Sequence, residues 1–413
     1  MITLARRLDH VPPSATVAIT FKAQALQRAG RDIISLGSGE PDFDTPEHIR
    51  EAAKRAIDSG KTRYAAPSGL PELREAISDK LQRDNGLSYS VSEISVGCGA
   101  KQSLFNALLA TLNEGDEVII PAPYWVSYVD ITRLVGGVPV VVSCDEASGY
   151  RLSPADLERA ITPKSKWLIL CSPSNPSGSA YSREELAALA DVLRRHRHVG
   201  VIVDHIYEHI VYDGFVSDTI NAVAPDLSDR TLIVNGLSKG YCMTGWRVGY
   251  VAGPSRIVEA VTLLQSQSTT STSTVSQWAA VAALNGDQSF IERNNAVFKE
   301  RRDLVVGALN AIPGLSCATP EGAFYVYPSC AGVLGRKTRD GQVIDSDEAF
   351  ATHLLDAGVS VVHGAVFGLS PHFRISYAAS TQSLTEACRR IAAACESLRG
   401  LVRNAPNATT QLT

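Results

Sequence analysis

The chain has 413 residues, 45% of them hydrophobic and 20% charged, which is enough to build a large core, and one big domain with a smaller one is the natural expectation. A formal net charge of −4 speaks against nucleic acid as a partner, because phosphate backbones call for a basic face. No stretch approaches the ~20 apolar residues of a membrane span, and Met1-Ile-Thr-Leu-Ala-Arg-Arg7 leads into Leu8-Asp-His-Val-Pro-Pro13, not into an apolar signal core, so a cytoplasmic protein without membrane contact is expected. The eight cysteines form no C-x-x-C pair and no cluster with histidines, which reads as reduced, mostly buried thiols and no metal site.

In chain order, an irregular start reaches Leu36-Gly-Ser-Gly-Glu-Pro-Asp-Phe-Asp-Thr-Pro46, where the density of glycine and proline marks a loop that lets backbone come close to something. Thr45 reads as an N-cap with Pro46 at the first helical position, and Ile49, Ala52, Ala53, Ala56 and Ile57 then recur at helical spacing up to Gly60. A helical pattern from Leu70 to Leu81 gives way to a strand at 94–96 and a helix through Leu104, Leu108 and Leu112. Short apolar strands follow at 117–120, 138–142, 167–171, 199–204 and 231–235, with a capping box, Ser182-x-x-Glu185, opening a helix between two of them. Continuous apolar strands separated by helices indicate a mostly parallel sheet covered on both faces, with ligands at the carboxyl ends of the strands.

A helical region from about 254 to 310 leads to strands at 323–327, 359–362 and 373–377, alternating with helices near 347–357 and 382–398. The expected organisation is an N-terminal segment (1–45) joining a small domain, a large α/β domain (46–295), the small α/β domain itself (296–401), and a polar frayed tail (402–413). One lysine stands out. Lys239 lies in Asn235-Gly-Leu-Ser-Lys-Gly-Tyr-Cys-Met-Thr-Gly-Trp-Arg247, between the strand at 231–235 and another at 248–252, and a lysine between two buried strands needs a chemical reason.

Several motifs in order carry a resemblance. They are Gly37-Ser-Gly-Glu-Pro-Asp-Phe-Asp-Thr-Pro46, Gly99-Ala-Lys-Gln102, Pro123-Tyr-Trp-Val-Ser-Tyr128, Ser172-Pro-Ser-Asn-Pro-Ser-Gly178, Asp204-x-x-Tyr-Glu208, Ser238-Lys-x-Tyr-x-Met-Thr-Gly-Trp-Arg247, Glu321-Gly-Ala-Phe-Tyr325 and Phe373-Arg-Ile-Ser-Tyr377. Together they resemble class I pyridoxal-phosphate-dependent aminotransferases of fold type I, in the bacterial and plant aspartate (aspartate/prephenate) branch, and the likeness covers about residues 11 to 398. It implies a seven-stranded, mostly parallel sheet in the large domain and a homodimer with shared active sites.

The resemblance also implies roles. Lys239 would hold pyridoxal 5'-phosphate as a Schiff base and later move the substrate proton. Asp204, 35 residues earlier (239 − 204), would stabilise the protonated ring nitrogen; read alone, it is a turn residue at a strand end. Tyr207 and Asn175 would donate to the ring oxygen O3′, although each could equally be core and turn. Gly99, Ala100 and Lys101 at a helix start, with Ser238 and Arg247, would take the phosphate. Trp125 would stack on the ring, a place where tryptophan is otherwise plain core. Gly39 and Arg374 would bind the substrate α-carboxylate, and Tyr64 would reach the phosphate in the neighbouring subunit. Lys101 and Thr16 would contact the distal carboxylate of acidic substrates, against the plain alternative that Lys101 is a solvated helix-start charge.

The expected reaction is ping-pong transfer of an amino group between an L-amino acid (aspartate or glutamate first, then prephenate or aromatic compounds) and a 2-oxo acid. The rival of the same fold is a pyridoxal enzyme performing elimination, decarboxylation or oxidation. A non-catalytic amino-acid sensor and a nicotinamide dehydrogenase are the rivals of other classes. The first keeps no use for Lys239, and the second lacks a G-x-G-x-x-G after the first strand. Four departures from the family pattern touch substrate range more than reaction: His205 stands where glutamate is common, His363-Gly-Ala-Val-Phe-Gly368 replaces a Pro-Gly-Ser stretch, residues 266–274 are rich in hydroxyls, and Gly236 stands where some relatives have serine.

Overall fold

Seven strands form the central sheet of the computed structural model, which describes residues 2–9, 11, 13 and 15–400. After the short β1 (Ile34–Ser35) come β2 (Ile94–Gly97), β3 (Glu117–Ala122), β4 (Val138–Ser143), β5 (Ser165–Cys171), β6 (Gly200–Asp204), β7 (Thr231–Gly236) and β8 (Gly249–Ala252). The sheet order is β2-β8-β7-β6-β5-β3-β4; β8 runs antiparallel to both neighbours and every other pairing is parallel. This is the α/β architecture of fold type I that the resemblance implied.

The continuous apolar strands follow from double coverage. In β6, Val201 and Val203 join a core with Leu81 and Leu189, whereas Ile202 between them joins another with Leu108 and Ile131. β4 is the exception that its position explains: it is an edge strand, Val138 and Val141 are exposed, and Pro139 is tolerated there.

Helices α1 (Ala15–Arg28), α2 (Glu47–Asp58), α3 (Pro71–Asn85) and α4 (Ala100–Thr111) precede or interleave with the first strands. The capping box of the helix Arg183–Arg195 forms with both of its bonds. Thr45 does not cap α2. Pro46 occupies the N-cap, and Thr45 instead donates its hydroxyl to the Cys242 carbonyl at 2.5 Å and accepts from Trp246 Nε1 at 3.0 Å. Partners 197 and 201 residues away outcompete the local cap, and they tie the 37–46 segment to the Lys239 loop.

The helical region after β8 is three helices, Ser255–Ser266, Thr274–Asn285 and Ser289–Asn310. It breaks within the hydroxyl-rich run, where Thr270 takes a positive φ of 64°, and again at Gly286. Beyond it, β9 (Tyr325–Val326), β10 (Val359–Ser360), β11 (Val362–His363) and β12 (Phe373–Ser376) complete the strands. β11, β12 and β9 form an antiparallel sheet in that order, while β1 pairs in parallel with β10. Leu36 and Phe298 pack with Phe350, Phe373 and Leu384 in the core of this part, so residues near the start are joined to residues near the end. The tail 402–413 lies outside the described residues.

All eight cysteines are free thiols, Cys98 and Cys171 half-buried and the others buried. Among the described residues no helix is long and apolar enough to cross a membrane.

Candidate active site

A cavity of about 440 Å³ opens where β5, β6 and β7 end. Lys239, in the loop that leaves β7, projects its amine into it. Its Nζ donates to the Gly39 carbonyl at 2.5 Å. Burial pushes this amine down from an ordinary 10.5 to about 8; Glu40 opposes the shift, and the Arg374 and Arg247 cations add to it.

Asp204 ends β6 beside Cys171, which ends β5 in register with it. The Asp204 carboxylate is buried and accepts the Tyr128 hydroxyl at 2.6 Å. Burial raises its pKa, and the Tyr128 bond works against that rise. Tyr128 and Trp125 stand at the start of the helix Ser127–Leu134, their rings edge to face with centroids 5.4 Å apart. The Lys101 amine lies 4.8 Å from the centre of the Trp125 ring. Burial and then Arg247 lower the pKa of that amine.

On the opposite wall, β12 delivers Arg374. Its Nη1 donates to Asn175 Oδ1 at 2.8 Å and its Nη2 to the Gly37 carbonyl at 2.6 Å, while the buried Nε has no partner among the described residues. The guanidinium sits 4.6 Å from the Tyr325 ring centre and 5.0 Å from that of Phe367, and among the described residues no carboxylate pairs with it. The Asn175 amide is thereby oriented, with Oδ1 on the arginine and Nδ2 left as a donor. Tyr207 is buried, and its hydroxyl lies 2.9 Å from that of Tyr325.

At the far end, Ala100 and Lys101, the first residues of α4, line the cavity together with Ser238 and Arg247, so the positive end of the helix dipole faces it. Close approach here requires glycine. A Cβ on Gly99, whose φ is +85°, would lie 2.3 Å from the Arg247 guanidinium, and one on Gly249 in β8 would lie 2.2 Å from the Ala100 nitrogen. Arg247 is itself fixed by bonds from Nη1 to the Thr244 carbonyl (2.9 Å) and from Nη2 to that of Cys98 (3.3 Å).

Behind the cavity, Glu208 clamps the two segments that carry these groups. It accepts from the buried Lys80 and from Asn85 (2.8 Å) on α3, and from Asn235 (2.6 Å) at the end of β7. Burial alone would raise this carboxyl, but the Lys80 cation against it holds it well below the usual carboxylate range. His205, the departure from the family pattern, belongs to this cluster and not to the cavity. Its Nε2 lies 2.9 Å from Ser217 Oγ, and burial pushes it down to about 4, so it is neutral.

Most sequence-derived candidates therefore meet in one place. Gly39, Trp125, Asn175, Asp204, Tyr207 and Lys239 line the cavity, as do Ala100, Lys101, Ser238, Arg247 and Arg374. Gly99 sits immediately behind as the N-cap of α4. Tyr64 does not line it and is 91% exposed. Thr16 falls in the first turn of α1, and its side chain lies outside what the structure describes; Val17, Thr20 and Phe21 of the same helix line the mouth. Tyr128, Tyr325 and Gly249 join these groups at the site without a motif role of their own. Tyr128 and Tyr325 stand inside motifs already singled out, and the spacing of Trp125 and Tyr128, three apart at a helix start, was the available signal.

A lysine amine, a buried carboxylate, a helix start with an arginine, and a second buried arginine thus line one cavity at the carboxyl ends of the strands. Residues 31–391 match the family model for aminotransferases of class I and II. The chain belongs to this family of pyridoxal-phosphate-dependent transaminases and is an aminotransferase. It is similar to the aspartate/prephenate aminotransferase of Cereibacter sphaeroides, with 55% identity over 96% of this chain and 100% of that one. Among solved structures, the aspartate aminotransferase from Rhizobium meliloti superposes with a TM-score of 0.95 at 53% identity, covering 97% of this chain and 100% of that one. The aspartate aminotransferase of Thermus thermophilus with maleate gives 0.89 at 44% identity, covering 95% and 100%.

Proposed function

We propose that the chain holds pyridoxal 5'-phosphate on Lys239 and transfers amino groups between acidic amino acids, aspartate or glutamate first, and their 2-oxo acids. The observation that carries this is the Lys239 amine, lowered to about 8, in a cavity that Asp204 and Arg374 also line. The residues present fit the cofactor: an amine for its aldehyde, a buried carboxylate for its ring nitrogen, a helix start with Ser238 and Arg247 for its phosphate, and glycines where side chains would block approach. When bound, the group supplies an electron sink for the pair left on the substrate Cα after proton removal.

The chain's own residues do the rest. Lys239 Nζ, close to neutral pH in its titration, takes the proton from the substrate Cα and carries it to the cofactor side. Asp204, held by Tyr128, would stabilise the protonated ring nitrogen of the cofactor, and a cation there would offset the cost of burying the carboxylate. Tyr207 and the Nδ2 of Asn175 would donate to O3′ of the cofactor, and Trp125 would pack on its ring. Arg374 turns its planar fork to the substrate α-carboxylate, for which Gly39 leaves room; a Cβ there would come within 2.5 Å of the Tyr325 hydroxyl. Lys101, beside Trp125, would meet a distal carboxylate, and the family resemblance adds Thr16 to that contact. The names of the relatives, and the maleate, a dicarboxylate, in the Thermus structure, support acidic substrates; prephenate is the next candidate. Tyr64, exposed in the single chain, belongs to the phosphate site of a second copy, which makes the working form a homodimer.

An amino-donor screen with 2-oxoglutarate and oxaloacetate as acceptors tests this reading. Aspartate and glutamate should lead. Release of ammonia or pyruvate without any acceptor would replace it with elimination.

A further inference from the structure

Tyr325 begins β9, is fully buried and is one of the residues lining the cavity. Three groups fence its hydroxyl. The Tyr207 hydroxyl is 2.9 Å away, with the two rings edge to face at 80° and centroids 5.7 Å apart. The Arg374 guanidinium lies over the Tyr325 ring at 4.6 Å, on a strand paired with β9 through Ser376 and Tyr325. Gly39 closes the third side, because a Cβ there would come within 2.5 Å of the same oxygen.

A phenol has one proton to give. In a hydroxyl pair, either oxygen can be the donor, so the Tyr207 proton has two possible directions: back to Tyr325, or out into the cavity. We infer that Tyr325 is a positioning residue, donating to the Tyr207 oxygen so that the Tyr207 proton is turned to the place where the cofactor oxygen O3′ would lie. The inference rests on the proposed reading of the cavity and adds a residue to it. Burial raises the pKa of the Tyr325 phenol, and the Arg374 cation opposes that rise, which makes Tyr325 a better donor than burial alone would leave it. A chain of two hydrogen bonds also polarises: a Tyr207 that accepts from Tyr325 gives a stronger bond forward.

Tyr325→Phe removes one oxygen and keeps the ring. A hydrogen bond given to O3′ draws off its negative charge, so the yellow chromophore on Lys239 releases its proton at lower pH; weakening that bond moves the midpoint up. The experiment is a pH titration of the absorbance of the cofactor-loaded wild type, Tyr325→Phe, Tyr207→Phe and the double variant, with thermal midpoints alongside. Tyr325→Phe should raise the absorbance midpoint by roughly half a pH unit. Tyr207→Phe should raise it further, and the double variant should match Tyr207→Phe alone. A midpoint unchanged in Tyr325→Phe, or shifts that add in the double variant, would overturn the inference, since a merely structural tyrosine changes the melting temperature and not this titration. A wild type that takes up no cofactor would overturn the reading on which it rests. A yellow wild type with an indifferent Tyr325 overturns the inference alone.

Discussion

The Tyr128 hydroxyl donates to Asp204 Oδ2 at 2.6 Å in the buried floor of the active site, joining a helix that starts after β3 to the end of β6. A buried carboxylate keeps its charge only with donors or a cation nearby, and Tyr128 is the side chain that provides a donor. Tyr128→Phe should therefore weaken cofactor retention by roughly tenfold and lower kcat by a similar factor, the range expected for one hydrogen bond to a charged group. Asp204→Ala should cost much more in both. Equilibrium binding of pyridoxal phosphate and steady-state rates check this; wild-type retention in Tyr128→Phe would mean that the carboxylate needs no such support.

The low pKa of Lys239 has a kinetic reading. Only the neutral amine attacks an aldehyde, and burial brings the amine to about 8 from 10.5, so the neutral fraction grows through that lower range as pH rises. Uptake of pyridoxal phosphate by the cofactor-stripped protein should accelerate with pH to a plateau, with a midpoint near 8. Stopped-flow absorbance gives the profile. A rate still climbing steeply at pH 10 would contradict a depressed amine.

The role proposed for Lys101 makes it the residue whose loss should separate acidic from neutral donors. Its amine sits over Trp125, where a distal carboxylate would end and an aromatic side chain would not need it. Lys101→Ala should raise KM for aspartate and glutamate by about tenfold or more, and should change an aromatic donor by less than about twofold. Equal losses for both substrate classes would show that Lys101 serves the phosphate or the fold.

His372 offers a test of stability. It is buried, stacks flat on Tyr327 with centroids 5.0 Å apart, and among the described residues neither ring nitrogen has a partner. Burial pushes it down to about 4. A base with a lowered native pKa leaves the unfolded chain binding the extra proton between about pH 6.5 and 4, so stability falls as pH drops through that window. His372→Phe keeps the stack and removes the proton site. The variant should melt at the same or a higher temperature at neutral pH and lose less stability than wild type between pH 6.5 and 4.5. Calorimetry across that range decides it; a large loss at neutral pH would reveal a hydrogen bond or water that the ring nitrogens serve.

Much of this architecture was legible because chemistry and pattern coincide. The apolar runs at β5, β6 and β7 read as strands since helices cover both their faces, and the residues that follow them, Asn175, Asp204 and Lys239, meet at one end of the sheet because parallel strands must. What stayed hidden depends on partners distant in sequence. Tyr128 finds Asp204 76 residues away, and Tyr207 finds Tyr325 118 residues away, so neither pair leaves a periodic signal. Thr45 carried the local signature of a helix cap and was drawn off by Cys242 and Trp246. The Glu208 clamp collects Lys80, Asn85 and Asn235 from elements that no spacing rule connects. His205 looked like a substrate-range change and is a neutral core histidine instead.

The central claim is that Lys239 is the residue that holds the cofactor. Purified protein loaded with pyridoxal phosphate should be yellow, lose that absorbance on treatment with borohydride, and yield a single peptide carrying the reduced cofactor at Lys239. Lys239→Ala should show neither the absorbance nor the modified peptide. A colourless wild type, or a label on another lysine such as Lys101 with Lys239 unmodified, would contradict the account.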